Sequence, residues 1–532
     1  MPSLFRRGIA ILFPVYSARG QTIRKVTSRM GLTRELSWTH PFEAYIKNVE
    51  PFVFHAPLRT EPNAEQPLFS IVVPFFNTPD EYLIPLLDSV ASQSFADWEM
   101  IMADASTDRD RSVRLEELSH GDSRFRYVRL GTNAGIASNT NTGIQQARGR
   151  FIVFVDHDDT LSHHALNEAA VVIADHEDVD VIYSDEDAIS DDGWYRKRPS
   201  FKPSWSPHMF LEMNYTNHLS VIRADLVREV GLLRPDRDGA QDYDLLLRIH
   251  ALPREITTVH IPKILYHWRE AQFSSSRAIG QKSYAMKAGT AAVTDYLDAI
   301  GVDHDGVDIL PDKPAWYHCH PRWSCRVDVV VMVSDDVRVN SRFEEQLRAA
   351  TGATWVVPRF RCLPPTADIS EQCTASEADA VVVMRAMYLP KDRSWLDELV
   401  GALRLPQTAA VAPLLMTGND NLVANAGFME HKGQLRPLYH RGDVTFSGLA
   451  GLPDLLRDVD GLDDAVVAFP VNTDHPELFL TGVVDGRTWS DRLVLWGLIR
   501  LYPAAMPFRD TLLNDNLSPR DALVVLKDTV GI

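Results

Sequence analysis

The chain has 532 residues, of which 45% are hydrophobic and 24% are charged, and its formal net charge at pH 7 is −18. This length exceeds what one hydrophobic core supports, so we expect two or three globular domains. The net negative charge argues against a general nucleic-acid-binding protein, which needs a basic face to neutralise phosphates.

The N-terminal head is basic. Residues 1–34 contain arginine and lysine but no acidic residue, and their apolar run "GIAILFPVY" is far shorter than the roughly 20 residues that a membrane span needs. No small-residue cleavage site follows this run, so we do not predict a signal peptide. We expect residues 1–67 to form a basic N-terminal extension, either frayed or attracted to anionic lipid at a membrane surface.

From residue 69 onward, short apolar runs alternate with helical patterns. The runs are typical of buried parallel strands, and they are "FSIVVP", "WEMIMA", "FRYVRL" and "FIVFV". After the first run, Thr78 and Glu81 have the spacing of a capping box, with Pro79 at the first helical position. This alternation predicts an α/β fold with a doubly wound sheet, whose ligands bind beyond the carboxyl ends of the strands.

Three carboxylates follow the fourth run directly, in "FIVFVDHDDTL". An unpaired buried carboxylate is costly, so Asp156, Asp158 and Asp159 need a partner or water. They could hold a hard cation that bridges to a diphosphate. "DHDDT" also matches the DxDxT signature of haloacid dehalogenase-type phosphatases, with Asp156 as nucleophile and Asp158 as general acid. Alternatively they are solvated loop residues. The phosphatase needs a further acidic motif after a strand, and the nearest candidate, "DVDGLDD", lies in the other half of the chain.

In order, "SIVVPFFNTPDEYL", "ADASTD", "NAGIASNTNTGIQQARG", "DHDD", "SDEDAI", "GAQDYDLLLRI" and "HIPKILYHWR" closely resemble blocks of the family 2 glycosyltransferases of the GT-A fold. The resemblance covers about residues 68–290 and implies a catalytic GT-A domain over residues 68–300. It is closest to bacterial enzymes of surface-polysaccharide synthesis, including rhamnosyltransferase-like ones. It implies a nucleotide-sugar site, for which the matching residues are Pro74, Phe76, Asn77, Asp104, Asn133, Gly135, Asp156 and His157.

The same resemblance implies a Mn²⁺ or Mg²⁺ ion held by Asp156, Asp158 and His267, with Arg269 near the phosphates. A lone histidine beside Tyr and Trp, such as His267, is more often a packed, hydrogen-bonded residue. On the acceptor side the resemblance implies Glu186, Asp187, Trp205 and Gln241, of which Trp205 could equally be a core residue.

The segment "GAQDYDLLLRI" predicts a packed helix that begins near Gln241 and Asp242. Acids in a first helical turn often only complement the helix dipole or cap free amides. The resemblance, however, puts Asp242 at the position of the family's catalytic base.

The function that the resemblance implies is metal-dependent, inverting transfer of a sugar from a UDP- or dTDP-linked donor. The expected acceptor is a hydroxyl of a growing cell-surface glycan, lipid-linked and of O-antigen, capsule or exopolysaccharide type. We expect a cytoplasmic protein with peripheral contact to the inner face of the cell membrane and no nucleic-acid partner. A non-catalytic pseudo-glycosyltransferase is the alternative, and the phosphatase is the third hypothesis.

The C-terminal half begins a second strand–helix series at "RVDVVVMVS", after a predicted linker over residues 301–325. Residues 326–532 faintly resemble a degenerate GT-A-like domain, in which the metal motif is replaced by Arg385, Ala386 and Met387. In the linker, "YHCHPRWSC" brings two histidines and two cysteines together, but the spacing matches no standard zinc motif, so we expect ordinary packing there.

Overall fold

A computed structural model describes most of the chain. The described residues are 39–63, 65–270, 279–310, 315–332, 337–363, 375–386, 388–416, 423–431, 434–437, 456–463, 465–471, 483–485 and 492–503. The basic head of residues 1–34 and Met387 lie outside this range.

The first half contains one mixed sheet of nine strands. They are β1 (Phe69–Phe75), β2 (Trp98–Asp104), β3 (Phe125–Arg129), β4 (Phe151–Phe154), β5 (Thr160–Leu161), β6 (Val181–Ile189), β7 (Arg196–Ser200), β8 (Ser220–Arg223) and β9 (Thr258–Arg269). Their order is β3-β2-β1-β4-β8-β6-β9-β5, with β7 paired to β6. The four predicted strands are parallel neighbours, so their carboxyl ends meet at one edge. The expected α/β fold of GT-A type is confirmed.

Helices cover this sheet. They are α1 (Thr39–Asn48), α2 (Asp80–Ala91), α3 (Arg109–Ser119), α4 (Ile136–Gln146), α5 (Ala165–Asp175), α6 (Pro207–Glu212), α7 (Ala224–Glu229), α8 (Gln241–His250) and α9 (Ile279–Ala299). Short 3₁₀ turns lie at Glu50–Phe52 and Pro235–Arg237. Among the helices that the structure describes, none is both long and apolar enough to cross a membrane.

The predicted capping box does not form. Helix α2 begins at Asp80, after Pro79, and no side chain caps its first amides. The Thr78 hydroxyl is buried without a hydrogen-bond partner among the described residues. One face of α2 is apolar and includes Leu83, Leu86 and Val90, which are buried against the sheet.

The described part of the predicted N-terminal extension packs against the first half. Glu50 forms an ion pair with Arg196, with Oε2 2.6 Å from the guanidinium. Further along, the backbone of His55 donates a hydrogen bond of 2.6 Å to the buried carboxylate of Glu168. Residues 39–63 are therefore an integral part of the first half.

The predicted linker forms a two-stranded antiparallel hairpin, β10 (His304–Ile309) and β11 (Tyr317–Pro321). A second nine-stranded sheet follows. It contains β12 (Cys325–Met332), β13 (Val356–Leu363), β14 (Ala380–Arg385), β15 (Tyr388–Pro390), β16 (Thr408–Met416), β17 (Val423–Asn425), β20 (Leu456–Val459), β22 (Val466–Pro470) and β24 (Arg492–Pro503). A small sheet contains β18 (Phe428–His431), β19 (Gln434–Pro437), β21 (Gly461–Asp463) and β23 (Val483–Asp485). The helices here are α10 (Val337–Ala350), α11 (Trp395–Gly401) and the 3₁₀ turn Ala402–Arg404.

The second sheet repeats the strand arrangement of the first. Its order is β13-β12-β14-β22-β16-β24-β15, which corresponds strand for strand to β2-β1-β4-β8-β6-β9-β5. The parallel and antiparallel pairings also match, and β17 pairs with β16 as β7 pairs with β6. In this correspondence Arg385 and Ala386 lie at the end of β14, at the place where the acidic loop (residues 156–159) follows β4.

Helix α6 joins the two halves. His208 is buried, and its two ring nitrogens contact Asp458 Oδ1 (2.6 Å) and Thr408 Oγ1 (2.8 Å) of the second sheet. One continuous apolar core contains residues of both sheets, for example Val72 and Val411. The two halves therefore share buried surface.

Candidate active site

A cleft lies at the carboxyl edge of the first sheet. Its volume is about 280 Å³, close to the lower limit of small-molecule pockets. The lining includes four residues that the sequence predicted for the site, namely Pro74, Asp156, Gln241 and Asp242. Residues from β1, β4, α4, α8 and the segment before β8 converge here.

Asp242 lies in the first turn of α8, as predicted, and its carboxylate faces this cleft. Its Oδ2 accepts hydrogen bonds from the side-chain amides of Asn217 and, at 3.3 Å, Asn214. Burial raises the pKa of Asp242 above its usual range, although the bond from Asn217 opposes this shift. The neighbouring Asp244 points elsewhere and is buried in ion pairs with Arg234 and Arg248. Only the first of these two acids is available to a ligand in the cleft.

Residues of β9 form hydrogen bonds to the acidic loop after β4. Asp159 is fully buried, and it accepts hydrogen bonds of 2.6 Å from the Tyr266 hydroxyl and from the Arg269 amide. The Arg269 guanidinium, itself buried, donates to the carbonyls of Asp158 (2.6 Å) and Asp191 (3.0 Å). Arg269 therefore braces the loop, and this burial is at odds with the predicted phosphate contact.

Two side chains of the cleft and the buried Asp159 beside it could share a metal ion. One ligand atom from each of Asp156, Asp159 and His218 lies within 4.8 Å of the others. Burial, together with Asp156 and Asp158, raises the pKa of Asp159 well above its usual range. A cation beside it would remove that electrostatic cost. This donor set fits a divalent ion, but it differs from the predicted set in two of three residues.

The two other predicted ligands lie apart from this group. His267 Nδ1 contacts Asp187 Oδ1 at 2.6 Å, and Asp187 also accepts a bond of 2.6 Å from Arg196. Asp158 is mostly buried, and burial raises its pKa. Among the described residues, neither belongs to a cluster that could hold a metal together with Asp156.

His218 lies between the acidic loop and β6. Its Nδ1 contacts Glu186 Oε2 at 2.9 Å, its Nε2 is 4.0 Å from Asp156 Oδ2, and its ring stacks on Tyr266. Burial alone would lower the pKa of His218, but the bond to Glu186 and the nearby carboxylates raise it to about 9. Glu186, predicted on the acceptor side, thus contacts the cleft through His218.

Several residues predicted for the nucleotide-sugar site lie at the ends of β1 and β2. Asp104 is buried and accepts bonds from the Ser106 amide (2.8 Å), Tyr127 (2.8 Å) and Arg129 (2.9 Å). Burial disfavours its charged form, but these bonds outweigh burial and lower the pKa of Asp104. Asn77 binds the backbone amide of Thr107 (3.0 Å) and so ties the two loops together. Phe76 beside it is 41% exposed.

A third loop leads into α4. Asn133 accepts bonds from the Gly135 amide (3.2 Å) and the Asn139 side chain (2.8 Å). Gly135 has a φ of 97°, and a Cβ there would lie 2.4 Å from Asp238 Oδ2. Asp238 Oδ1 also accepts a bond of 2.9 Å from Ala137, in the first turn of α4. Glycine is therefore required at this turn.

Two predicted site residues lie outside this cleft. The Trp205 ring stacks on His250 with centroids 4.3 Å apart and also packs against Phe210. His157 has a buried Nδ1 without a hydrogen-bond partner among the described residues. Neither residue lines the cleft of Asp156 and Asp242.

Asn217 and His218 had no individual role predicted from the sequence. They precede β8, which runs antiparallel to β4 so that Ser220 pairs with Phe154. The segment before β8 therefore lies beside the acidic loop. This position could not be predicted, because the sequence of a short apolar strand does not show whether it runs parallel or antiparallel to its neighbour.

Comparison with known proteins agrees with these features. The family model described as Glycosyl transferase family 2 matches residues 70–230. An uncharacterized protein, y4gI, of Sinorhizobium fredii is 40% identical over 232 residues, which are 43% of this chain and 25% of that protein. The O-antigen biosynthesis protein RfbC of Myxococcus xanthus is 30% identical over 424 residues, which are 73% of this chain and 31% of that protein.

The chain thus spans about a quarter to a third of the length of these two relatives. Among solved structures, Staphylococcus aureus TarS 1–349 in complex with UDP-GlcNAc matches with 21% identity and a TM-score of 0.35, over 44% of this chain and 70% of that one. The match to the family model covers the sheet edge, the acidic loop and His218. The chain therefore carries a glycosyltransferase family 2 domain of GT-A type.

Proposed function

We propose that the chain transfers a sugar from a nucleoside-diphosphate sugar, UDP- or dTDP-linked, to a hydroxyl of a growing cell-surface glycan. The observation that carries this proposal is that Asp242 and Asp156 line one cleft at the carboxyl edge of the sheet. The similarity to an O-antigen biosynthesis protein supports a surface glycan as acceptor. The transfer takes place at the cytoplasmic face of the membrane, with residues 1–34 as a peripheral contact.

The reaction proceeds in line, with inversion at the anomeric carbon. The acceptor oxygen forms the new bond to C1 while the bond from C1 to the diphosphate oxygen breaks. Asp242 takes the proton of the acceptor hydroxyl, and burial keeps its pKa high enough to make it an effective base. The amides of Asn214 and Asn217 hold Oδ2, which leaves the other carboxylate oxygen for the acceptor.

The departing diphosphate needs positive charge. Asp156, Asp159 and His218 would hold a Mn²⁺ or Mg²⁺ ion, which supplies charge stabilisation of the leaving group when bound. Tyr266 and Arg269 fix the loop that carries these carboxylates, so the loop needs little rearrangement when the donor binds.

The nucleotide lies toward the ends of β1 and β2 in this proposal. Asp104 stays ionised near neutral pH, and hydrogen bonds from Arg129 and Tyr127 fix its position. This suits a carboxylate that accepts hydrogen bonds from the nucleobase of the donor. Pro74, Phe76 and Asn77 flank it on the neighbouring strand end. Asn133 and Gly135 shape the loop on the other side of the cleft.

The second domain is a degenerate copy of the first in this proposal. The loop after β14 lacks carboxylates at Arg385 and Ala386, so metal-dependent transfer takes place in the first domain alone. The second domain extends the acceptor-binding surface or mediates association.

The test is a panel of UDP-, dTDP- and GDP-sugars with the full chain and Mn²⁺. Release of nucleoside diphosphate that requires both Mn²⁺ and a glycan acceptor supports the proposal. Mn²⁺-dependent donor binding without transfer would indicate the pseudo-glycosyltransferase instead. Phosphate release without nucleotide binding would indicate the phosphatase.

A further inference from the structure

The linker hairpin carries a second cluster of metal-ligand side chains, far along the chain from the acidic loop. His318 and His320 alternate with Cys319 on β11, so the two imidazoles share one face and the thiol lies on the other. Their ring centroids are 4.3 Å apart. Helix α11 of the second domain adds Glu398 to the same face. One ligand atom from each of these three residues lies within 4.8 Å of the others.

We propose that His318, His320 and Glu398 bind a Zn²⁺ ion, with water in the fourth tetrahedral position. Zinc prefers tetrahedral sites, and bonds of about 2.0–2.1 Å separate neighbouring ligand atoms by about 3.4 Å. His318 Nε2 and Glu398 Oε2 are 3.5 Å apart, which is already close to this value. Two imidazoles with one carboxylate form a donor set that suits zinc better than magnesium or calcium.

Each ligand has a partner that orients it. His318 Nδ1 lies 3.3 Å from Glu212 Oε1, and His320 Nε2 lies 3.1 Å from Asp308 Oδ2. The other oxygen of Glu398 accepts a bond of 3.0 Å from Ser394 Oγ. Metal-bound histidines in proteins usually donate their second nitrogen to a carboxylate in this way. If His318 only bridged Glu212 and Glu398, the site would not need the imidazole of His320 or the contact of His320 with Asp308.

The site would join three parts of the chain. Glu212 ends helix α6 of the first domain, the histidines belong to the linker hairpin, and Glu398 belongs to the second domain. Bound zinc would therefore fix the hairpin against α11. The two cysteines of the motif are not ligands: the Cys319 thiol is buried on the opposite face, and Cys325 begins β12.

The experiment must separate this site from the acidic loop. The full chain with Asp156→Asn serves as the reference, because that substitution weakens the other metal cluster. After exposure to Zn²⁺ and gel filtration, elemental analysis should find one zinc per reference chain. The visible spectrum of the Co²⁺ form should show four-coordinate cobalt.

In this reference, His320→Gln and Glu398→Gln should each weaken Zn²⁺ binding by at least about 100-fold, and Glu212→Gln by about 10–100-fold. The matched control is His304→Gln, in the neighbouring strand, whose ring contacts Asp298 and which should not change binding. Unfolding temperatures of the metal-free variants show whether they fold. Zinc retention that is equal with and without His320, or no retention by the reference, would overturn the proposal and point to a plain His–Glu bridge.

Discussion

Substitution of Asp242 by Asn tests the proposed base most directly. The amide has the shape of the carboxylate, and its oxygen can still accept the bonds that Asn214 and Asn217 now donate to Oδ2. The fold and the donor site should therefore survive, while the group that takes the acceptor proton is lost. General-base catalysis contributes about 10²–10⁴-fold, so we expect kcat to fall by this factor, which corresponds to about 3–5 kcal/mol in the barrier.

The assay measures nucleoside diphosphate release with saturating acceptor, and calorimetry measures donor binding. In the wild type, kcat should rise with pH as Asp242 loses its proton. Because burial raises this pKa, the midpoint of the rise should lie above the ordinary value of about 3.9. The exposed Asp236, in the turn before α8, supplies the control Asp236→Asn, which should keep wild-type kcat. A kcat for Asp242→Asn within tenfold of wild type, with the same pH profile, would refute this reasoning.

Three further predictions concern stability. Gly135→Ala should lower the free energy of unfolding by about 1–3 kcal/mol in urea titrations, because a positive φ and a close carboxylate both oppose the methyl group; Gly131→Ala, with a similar φ but open space, should cost less. Tyr266→Phe should cost about 1–3 kcal/mol, because the buried Asp159 loses a donor; an unchanged urea midpoint would contradict this role. The pKa of Asp104 is lower in the folded than in the unfolded protein, so its charged carboxylate stabilises the fold fully above the unfolded pKa, and this stabilisation is lost as the pH falls through the folded pKa. The free energies of unfolding of the wild type and of Asp104→Asn should therefore converge on acidification. A difference that stays constant with pH would show that the charge of Asp104 is not responsible.

Strands β1, β2 and β4 were predictable because they are buried on both faces. Runs such as "FIVFV" are apolar throughout, which distinguishes parallel strands from the alternating strands of a half-exposed sheet. The start of α8 at Gln241 was also predictable from its apolar positions. These signals are local in the sequence.

The structure departs from the sequence-based expectations at contacts between distant segments. His267 was predicted as a ligand from the family resemblance, whereas its Nδ1 contacts Asp187 in the structure. His218 lies near Asp156 because β8 runs antiparallel to β4. Arg269 is buried because its guanidinium donates hydrogen bonds to loop carbonyls, including that of Asp158. Glu398 is 78 positions beyond His320, and no spacing rule predicts that meeting.

The anchoring of His208 has a practical consequence for anyone who wishes to study the transferase portion in isolation. A shortened chain that stops before the second sheet would leave this imidazole without Thr408 and Asp458 and would expose the apolar core that both sheets share. The helix affected ends at Glu212, two residues before Asn214, which holds the proposed base. Loss of activity in such a fragment would therefore not show which half catalyses the reaction. Point substitutions in the intact chain are the better test.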